Sequence, residues 1–130
     1  MNKKSDKTWE LTAECRFTIT QEDIDDIMVG ALEGGINYWC KEAEVVGEYL
    51  GEYASDQISR GGSLKLYDAE NENVYLLTLE NFCKGLKLLV EMGYDEYHAV
   101  KGGKVDPCNI DAEIADRIIQ LAVFDEIVYA

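Results

Sequence analysis

The chain has 130 residues, 47% of them hydrophobic, which predicts one globular domain with a single core. Its 26 acidic and 12 basic residues give a formal charge of -14, and such a surface repels nucleic-acid backbones and anionic lipid. We therefore expect one domain over residues 1–130, with residues 1–7 disordered, and neither nucleic acid nor a membrane among its partners.

Cysteine spacing and the first residues bear on cofactors and compartment. The four cysteines lie far apart, whereas zinc and redox motifs need closely spaced pairs. The basic start leads into polar, alternating sequence instead of the apolar run of a signal peptide, and no run reaches the ~18 apolar residues of a membrane helix. These patterns predict a cytoplasmic protein with free thiols, no metal site and no cofactor.

The first third of the chain predicts a strand followed by a helix. Apolar and polar residues alternate over 9–20, which is typical of a strand with one face on a core. Thr20 and Asp23 have the spacing of a reciprocal helix cap, and Gly34-Gly35 supply a stop signal.

The remaining elements are assigned from the same two periodicities. We predict a second strand within 36–50, a short helix over 52–60 and a β-hairpin that pairs 64–66 with 74–76. A third helix follows Thr78 and ends at Gly93, and the one long loop spans 94–109.

The chain ends with a helix capped by Asn109 or Asp111 and a short strand over 126–130. The predicted fold class is α+β, with an antiparallel sheet and about four helices packed on one face. The last helix is apolar at more positions than one core stripe requires, and a subunit interface would use the surplus.

Two glycine-containing clusters are candidates for ligand binding. In the first, Asn37 offers the donor and acceptor that adenine recognition needs and Trp39 offers a ring for stacking, although a helix C-cap followed by core aromatics explains the same residues. In the second, Arg60, Gly61 and Gly62 combine a guanidinium with a possible backbone nest for phosphate, although a helix C-cap again explains them.

Arginines are scarce in this chain, and only Arg16, Arg60 and Arg117 occur. Arg16 and Arg117 are expected to pair with neighbouring acids on their own elements. His98 lies in a polar stretch without a partner signature, so no catalytic residue is assigned and the chain is predicted not to be an enzyme.

Three stretches of the sequence resemble a family of small phage proteins, the first-described Thoeris anti-defence family. They read IDDIMVGALEGGINYWC over 24–40, SDQISRGGSLKLYDAE over 55–70 and IDAEIADRIIQ over 110–120. The resemblance implies a homo-oligomer, a dimer or hexamer, that sequesters cyclic ADP-ribose isomers made by bacterial TIR enzymes without cleaving them. It further implies that some members capture cyclic oligonucleotide signals.

A cyclic ADP-ribose isomer calls for stacking rings, polar groups and a phosphate site. The residues predicted to supply them are Asn37, Trp39, Arg60, Gly61, Gly62, Phe82 and Arg117. Phe82, on the third predicted helix, is also the kind of residue that fills a core.

Two functions from other classes stand beside this prediction. The first is an acidic DNA-mimic protein that inhibits a host nuclease or restriction system by direct binding, which the charge of -14 would suit. It requires acids clustered on one face, whereas lysines are interspersed among them in the sequence. The second is a small carboxylate-dependent hydrolase, for which no motif is present.

Overall fold

The structure is a computed structural model that describes residues 7–9, 11, 16–91, 100–101 and 103–130. Residues 10 and 12–15 of the predicted strand over 9–20, the predicted helix end at Gly93 and His98 lie outside the described residues. The described residues 16–20 form no continuous strand and contain only an isolated bridge from Thr18 to Lys104, so the strand predicted there is wrong. Across the described residues, three α-helices and a three-stranded antiparallel sheet form an α+β fold, which confirms the predicted class.

The first helix, α1 (Gln21–Gly30), begins where its cap predicts. The Thr20 hydroxyl accepts a hydrogen bond from the Asp23 N–H at 3.1 Å, and the Asp23 carboxylate accepts one from the Thr20 N–H at 3.0 Å. The helix continues as a π-helical turn, Ala31–Gly35. A Cβ at Gly35 would lie 2.5 Å from the Ala112 carbonyl oxygen, so only glycine allows this close approach.

The sheet is formed by β1 (Cys40–Val45), β2 (Leu64–Asp68) and β3 (Val74–Leu77), in the order β1-β2-β3. The predicted hairpin is the β2-β3 pair. Leu66 on β2 points into the core and Lys65 to the exposed face, which is the alternation expected of a sheet with one covered face.

Two long helices close the core, α2 (Leu79–Glu91) and α3 (Ala112–Phe124). They approach closely at Gly85, where a Cβ would lie 2.8 Å from the backbone nitrogen of Ala122. Asp111 caps α3 by accepting a hydrogen bond from the Ile114 N–H at 2.9 Å, which decides between the two predicted caps. None of the helices in the described residues combines the length and apolarity needed to cross a bilayer.

The prediction of about four helices was wrong, because the segment over 52–60 forms only a 3-10 turn, Ala54–Asp56. The Asp56 carboxylate accepts hydrogen bonds from the backbone N–H groups of residues 52 and 53, both at 3.1 Å. A side chain that binds the backbone in this way competes with continuous helix. The second strand is also shorter than its predicted segment, since residues 36–39 form turns.

The end of the chain and the long loop differ from prediction as well. Residues 126–130 form no strand; the Gln120 side-chain oxygen instead accepts hydrogen bonds from the N–H groups of Val128 at 2.9 Å and Tyr129 at 2.8 Å. The described part of the predicted loop contains a small hairpin, β4 (Val100–Lys101) and β5 (Lys104–Val105), and a 3-10 turn, Pro107–Asn109.

Candidate functional site

Trp39, predicted to stack on a ligand, is fully buried in the core. Its indole Nε1 donates to Asp116 Oδ1 at 2.7 Å, and the Tyr38 hydroxyl donates to the other carboxylate oxygen at 2.6 Å. Burial, followed by the hydrogen bond and charge of Asp116, raises the pKa of Tyr38 to about 12. The structure therefore uses Trp39 to hold a buried carboxylate, and its ring faces protein.

A second buried carboxylate, Asp68, lies against the same aromatic cluster. It accepts hydrogen bonds at 2.7 Å from the hydroxyls of Tyr75 and Tyr129 and at 2.8 Å from the Glu70 N–H. Burial alone would raise the pKa of Asp68, but these donors outweigh it and lower the pKa. The Tyr129 ring stacks on Trp39 with centroids 5.6 Å apart, so this cluster is closed to a ligand by the chain itself.

Phe82 and the glycine pair have structural partners of their own. Phe82 is fully buried on α2. The Gly61 N–H donates to the Ile58 carbonyl at 3.0 Å and the Gly62 N–H to the Gln57 carbonyl at 2.9 Å. A phosphate nest needs free N–H groups, and these two hydrogen bonds already occupy both donors of the predicted nest.

Arg60 is held by two acids. Its Nη1 lies 3.5 Å from Asp25 Oδ2 and 3.7 Å from Asp56 Oδ1, and it also donates to the Asp56 carbonyl at 3.1 Å. The two carboxylates offset the charge of the guanidinium and would repel a phosphate beside it, which weakens any anion site at this turn.

Arg117 forms the predicted pair on its own helix, with Nη2 3.0 Å from Glu113 Oε1. The Nη1 of Arg117 is buried and has no hydrogen-bond partner among the described residues. Asn37, the remaining predicted residue, is exposed and precedes Tyr38. None of the seven predicted residues lines the two grooves described next.

A groove of about 460 Å³ lies between α2 and the segment that precedes α1. Its lining includes Arg16, Phe17, Thr18, Ile19, Leu86 and Lys87. We call it the α2 groove. Its apolar lining residues Phe17, Ile19 and Leu86 are buried or half-buried, and its two cations are exposed, a combination suited to an anion that carries a flat apolar part.

A second groove, of about 480 Å³, adjoins the first and shares Cys83 and Lys87 with it. It is more polar, since Thr78, Glu80, Asn81 and Lys84 contribute to its lining. The shared residues place the two grooves side by side along α2.

Two cations without a carboxylate partner among the described residues lie together on the α2 groove. Arg60, Lys84 and Arg117 each form an ion pair, whereas Arg16 and Lys87 form none with a carboxylate of the described residues. The same is true of three further lysines, Lys41, Lys65 and Lys104. What distinguishes Arg16 and Lys87 is that both line one largely apolar groove, which makes it the candidate anion site.

The groove also indicates what chemistry it supports. Burial raises the pKa of the Cys83 thiol, so the thiol is neutral at pH 7 and a weak nucleophile. Among the described residues, no group of three His, Cys, Asp or Glu side chains is placed to hold a metal ion.

None of the residues that line this groove was predicted to bind a ligand. Arg16 is predicted to pair with a neighbouring acid, and no function is predicted for Phe17 or Lys87. One signal was available, because Lys84 and Lys87 lie three residues apart and therefore on one side of α2, in a chain with few cations. No family model, curated protein or solved structure matches the chain.

Proposed function

We propose that this protein is a phage anti-defence sponge that binds a cyclic ADP-ribose isomer, made by a bacterial TIR enzyme, in the α2 groove and does not cleave it. The proposed setting is the cytoplasm of the infected host. The observation that carries the proposal is that two cations, Arg16 and Lys87, line one groove of a protein with a net charge of -14, and neither pairs with a carboxylate of the described residues.

The size and chemistry of the groove support a nucleotide of this kind. Small-molecule sites typically enclose ~300–1,000 Å³, and the α2 groove falls within that range at about 460 Å³. Phe17 and Ile19, both partly exposed, offer an apolar surface for the adenine, and the exposed Arg16 and Lys87 offer positive charge to the pyrophosphate. The adjoining groove adds the exposed Lys84 as a further polar contact, and its volume of about 480 Å³ would admit part of a cyclic oligonucleotide.

A sponge must bind its signal tightly, at roughly nanomolar dissociation, which corresponds to about 12 kcal/mol. A groove open on one side leaves part of such a ligand in water, so we propose that a second copy of the chain covers it in a homo-oligomer, a dimer or hexamer. Enclosure would strengthen both charge contacts by excluding water.

The test mixes the purified protein with the TIR-enzyme product, removes unbound nucleotide by filtration and heats the complex. Release of the chemically intact signal supports sequestration. Degradation of the signal would show an enzyme instead, and failure to capture it would contradict the proposal.

Variants locate the site in the same assay. We expect Arg16→Ala and Lys87→Ala each to raise the dissociation constant about tenfold or more, since a hydrogen bond to a charged group contributes ~1.5–3 kcal/mol. The matched control is Lys65→Ala, which removes the same charge from the exposed face of the sheet. Arg60→Ala and Asn37→Ala test the residues predicted from sequence, and loss of capture in these two alone would place the site elsewhere.

A further inference from the structure

The loop over residues 46–53 exposes four large apolar side chains. Tyr49 is 61% exposed, Tyr53 62%, Leu50 49% and Val46 40%. Single exposed apolar residues are common on protein surfaces, but several on one short segment are typical of an interaction site. We call this segment the tyrosine loop.

Two side chains hold the backbone of the tyrosine loop by hydrogen bonds. The buried Gln57 accepts a hydrogen bond from the Leu50 N–H at 3.0 Å and donates one to the Glu48 carbonyl at 3.1 Å. Asp56 accepts the N–H groups of residues 52 and 53. The loop is thus ordered before any partner binds, which reduces the entropy lost on association.

Close packing holds the loop to these two side chains. A Cβ at Gly51 would lie 2.5 Å from the Asp56 Cβ, and a Cβ at Gly62 would lie 2.5 Å from Gln57 Nε2. Glycine at both positions lets the backbone approach its supports. The backbone of the loop therefore packs closely on Asp56, while the Tyr49 and Tyr53 side chains are more than half exposed.

The charged residues from 42 to 59 are all acidic, with Arg60 beside Asp56 and Lys65 opposite Glu44 on the neighbouring strand. Between Lys41 and Arg60 the sequence contains five acids and no lysine or arginine. Four of these acids are exposed: Glu42, Glu44, Glu48 and Glu52. Like charges would repel a second copy docked face to face, and an anionic lipid surface would be repelled as well.

We propose that the tyrosine loop docks onto a basic surface of a partner protein that carries arginine and apolar side chains side by side. Tyrosine suits this partner because its ring attracts a guanidinium and packs on aliphatic groups with few rotatable bonds. The surrounding glutamates would steer the partner and pair with cations at the rim. This surface is separate from the α2 groove, and its use does not depend on nucleotide binding.

The proposal differs from charge-only mimicry of DNA, in which affinity would follow the acids alone. Two fluorescent peptides of equal charge separate the cases, one alternating Arg and Leu and the other Arg and Ser. Binding of each to the full chain is measured by fluorescence anisotropy. We expect the Arg–Leu peptide to bind about tenfold more tightly than the Arg–Ser peptide.

The decisive variant is the double substitution Tyr49→Ser with Tyr53→Ser, which keeps the net charge at -14. Its matched control is Val74→Ser with Leu76→Ser, two exposed apolar residues on β3. The proposal predicts that the tyrosine variant loses the preference for the Arg–Leu peptide and that the control keeps it, with unfolding midpoints unchanged in both.

Three results would overturn the proposal. The wild type would bind both peptides equally if charge alone acted. The control would lose the preference together with the tyrosine variant if any exposed apolar residue sufficed. Sedimentation would show a dimer that the tyrosine variant dissociates if the loop served a second copy.

Discussion

Replacement of Asp116 by alanine tests the buried carboxylate that organises the core. Three donors converge on it, from Tyr38, Trp39 and Gln120, with the last at 3.0 Å. Tyr38 is 49% exposed, so after the substitution its hydroxyl can donate to water. The Gln120 amide keeps its hydrogen bond to the Tyr129 carbonyl at 3.1 Å. Only the indole N–H of Trp39 is left buried without an acceptor.

An unsatisfied buried donor costs about 1–3 kcal/mol, so Asp116→Ala should lower the free energy of unfolding by about that amount. This is a large share of the ~5–15 kcal/mol of a typical domain. Urea unfolding followed by tryptophan fluorescence measures it, and the transition reports on Trp39 because Trp9 is already 78% exposed.

The matched control is Asp26→Ala, which removes the same charge from an exposed position on α1. A surface change of this kind is expected to alter stability by no more than about 0.5 kcal/mol. Equal losses of unfolding free energy in the two variants would contradict this prediction, since they would show that Asp116 contributes through its charge and not through its buried hydrogen bonds.

Two further predictions concern packing and pH. Gly85→Ala should destabilise the protein by about 1–3 kcal/mol in the same urea assay, because the new methyl group meets the α3 backbone, whereas Gly34→Ala, with open space around it, should be near neutral. The pKa of Tyr38 is raised to about 12, first by burial and second by its hydrogen bond to Asp116. The pKa of Tyr129 is also raised to about 12, first by its hydrogen bond to Asp68 and second by burial. Since folding favours their neutral forms, the stability they contribute is complete below the unfolded-state pKa of ~10 and is lost as the pH rises through about 12. Tyrosinate absorbance should show this late ionisation, and Tyr129→Phe should reduce its amplitude; a single step near pH ~10 would contradict it.

Short-range signals in the sequence were enough to predict the local elements of this protein. The cap at Thr20, the hairpin of β2 and β3 and the cores of α2 and α3 depend on hydrogen bonds and side-chain periods within a few residues. Such signals are complete in the local sequence, and the structure confirms them.

Which side chains are available to a ligand depends on contacts between distant parts of the chain. The local sequence suggests Trp39 as a stacking ring, but its indole donates to Asp116, 77 positions along the chain, and lies in the core. Arg60 reads as a phosphate ligand, yet Asp25 from α1 lies beside it. Arg16 and Lys87 become neighbours on one groove only after the chain closes. Burial and ion pairing depend on such distant partners, and local propensity carries no information about them.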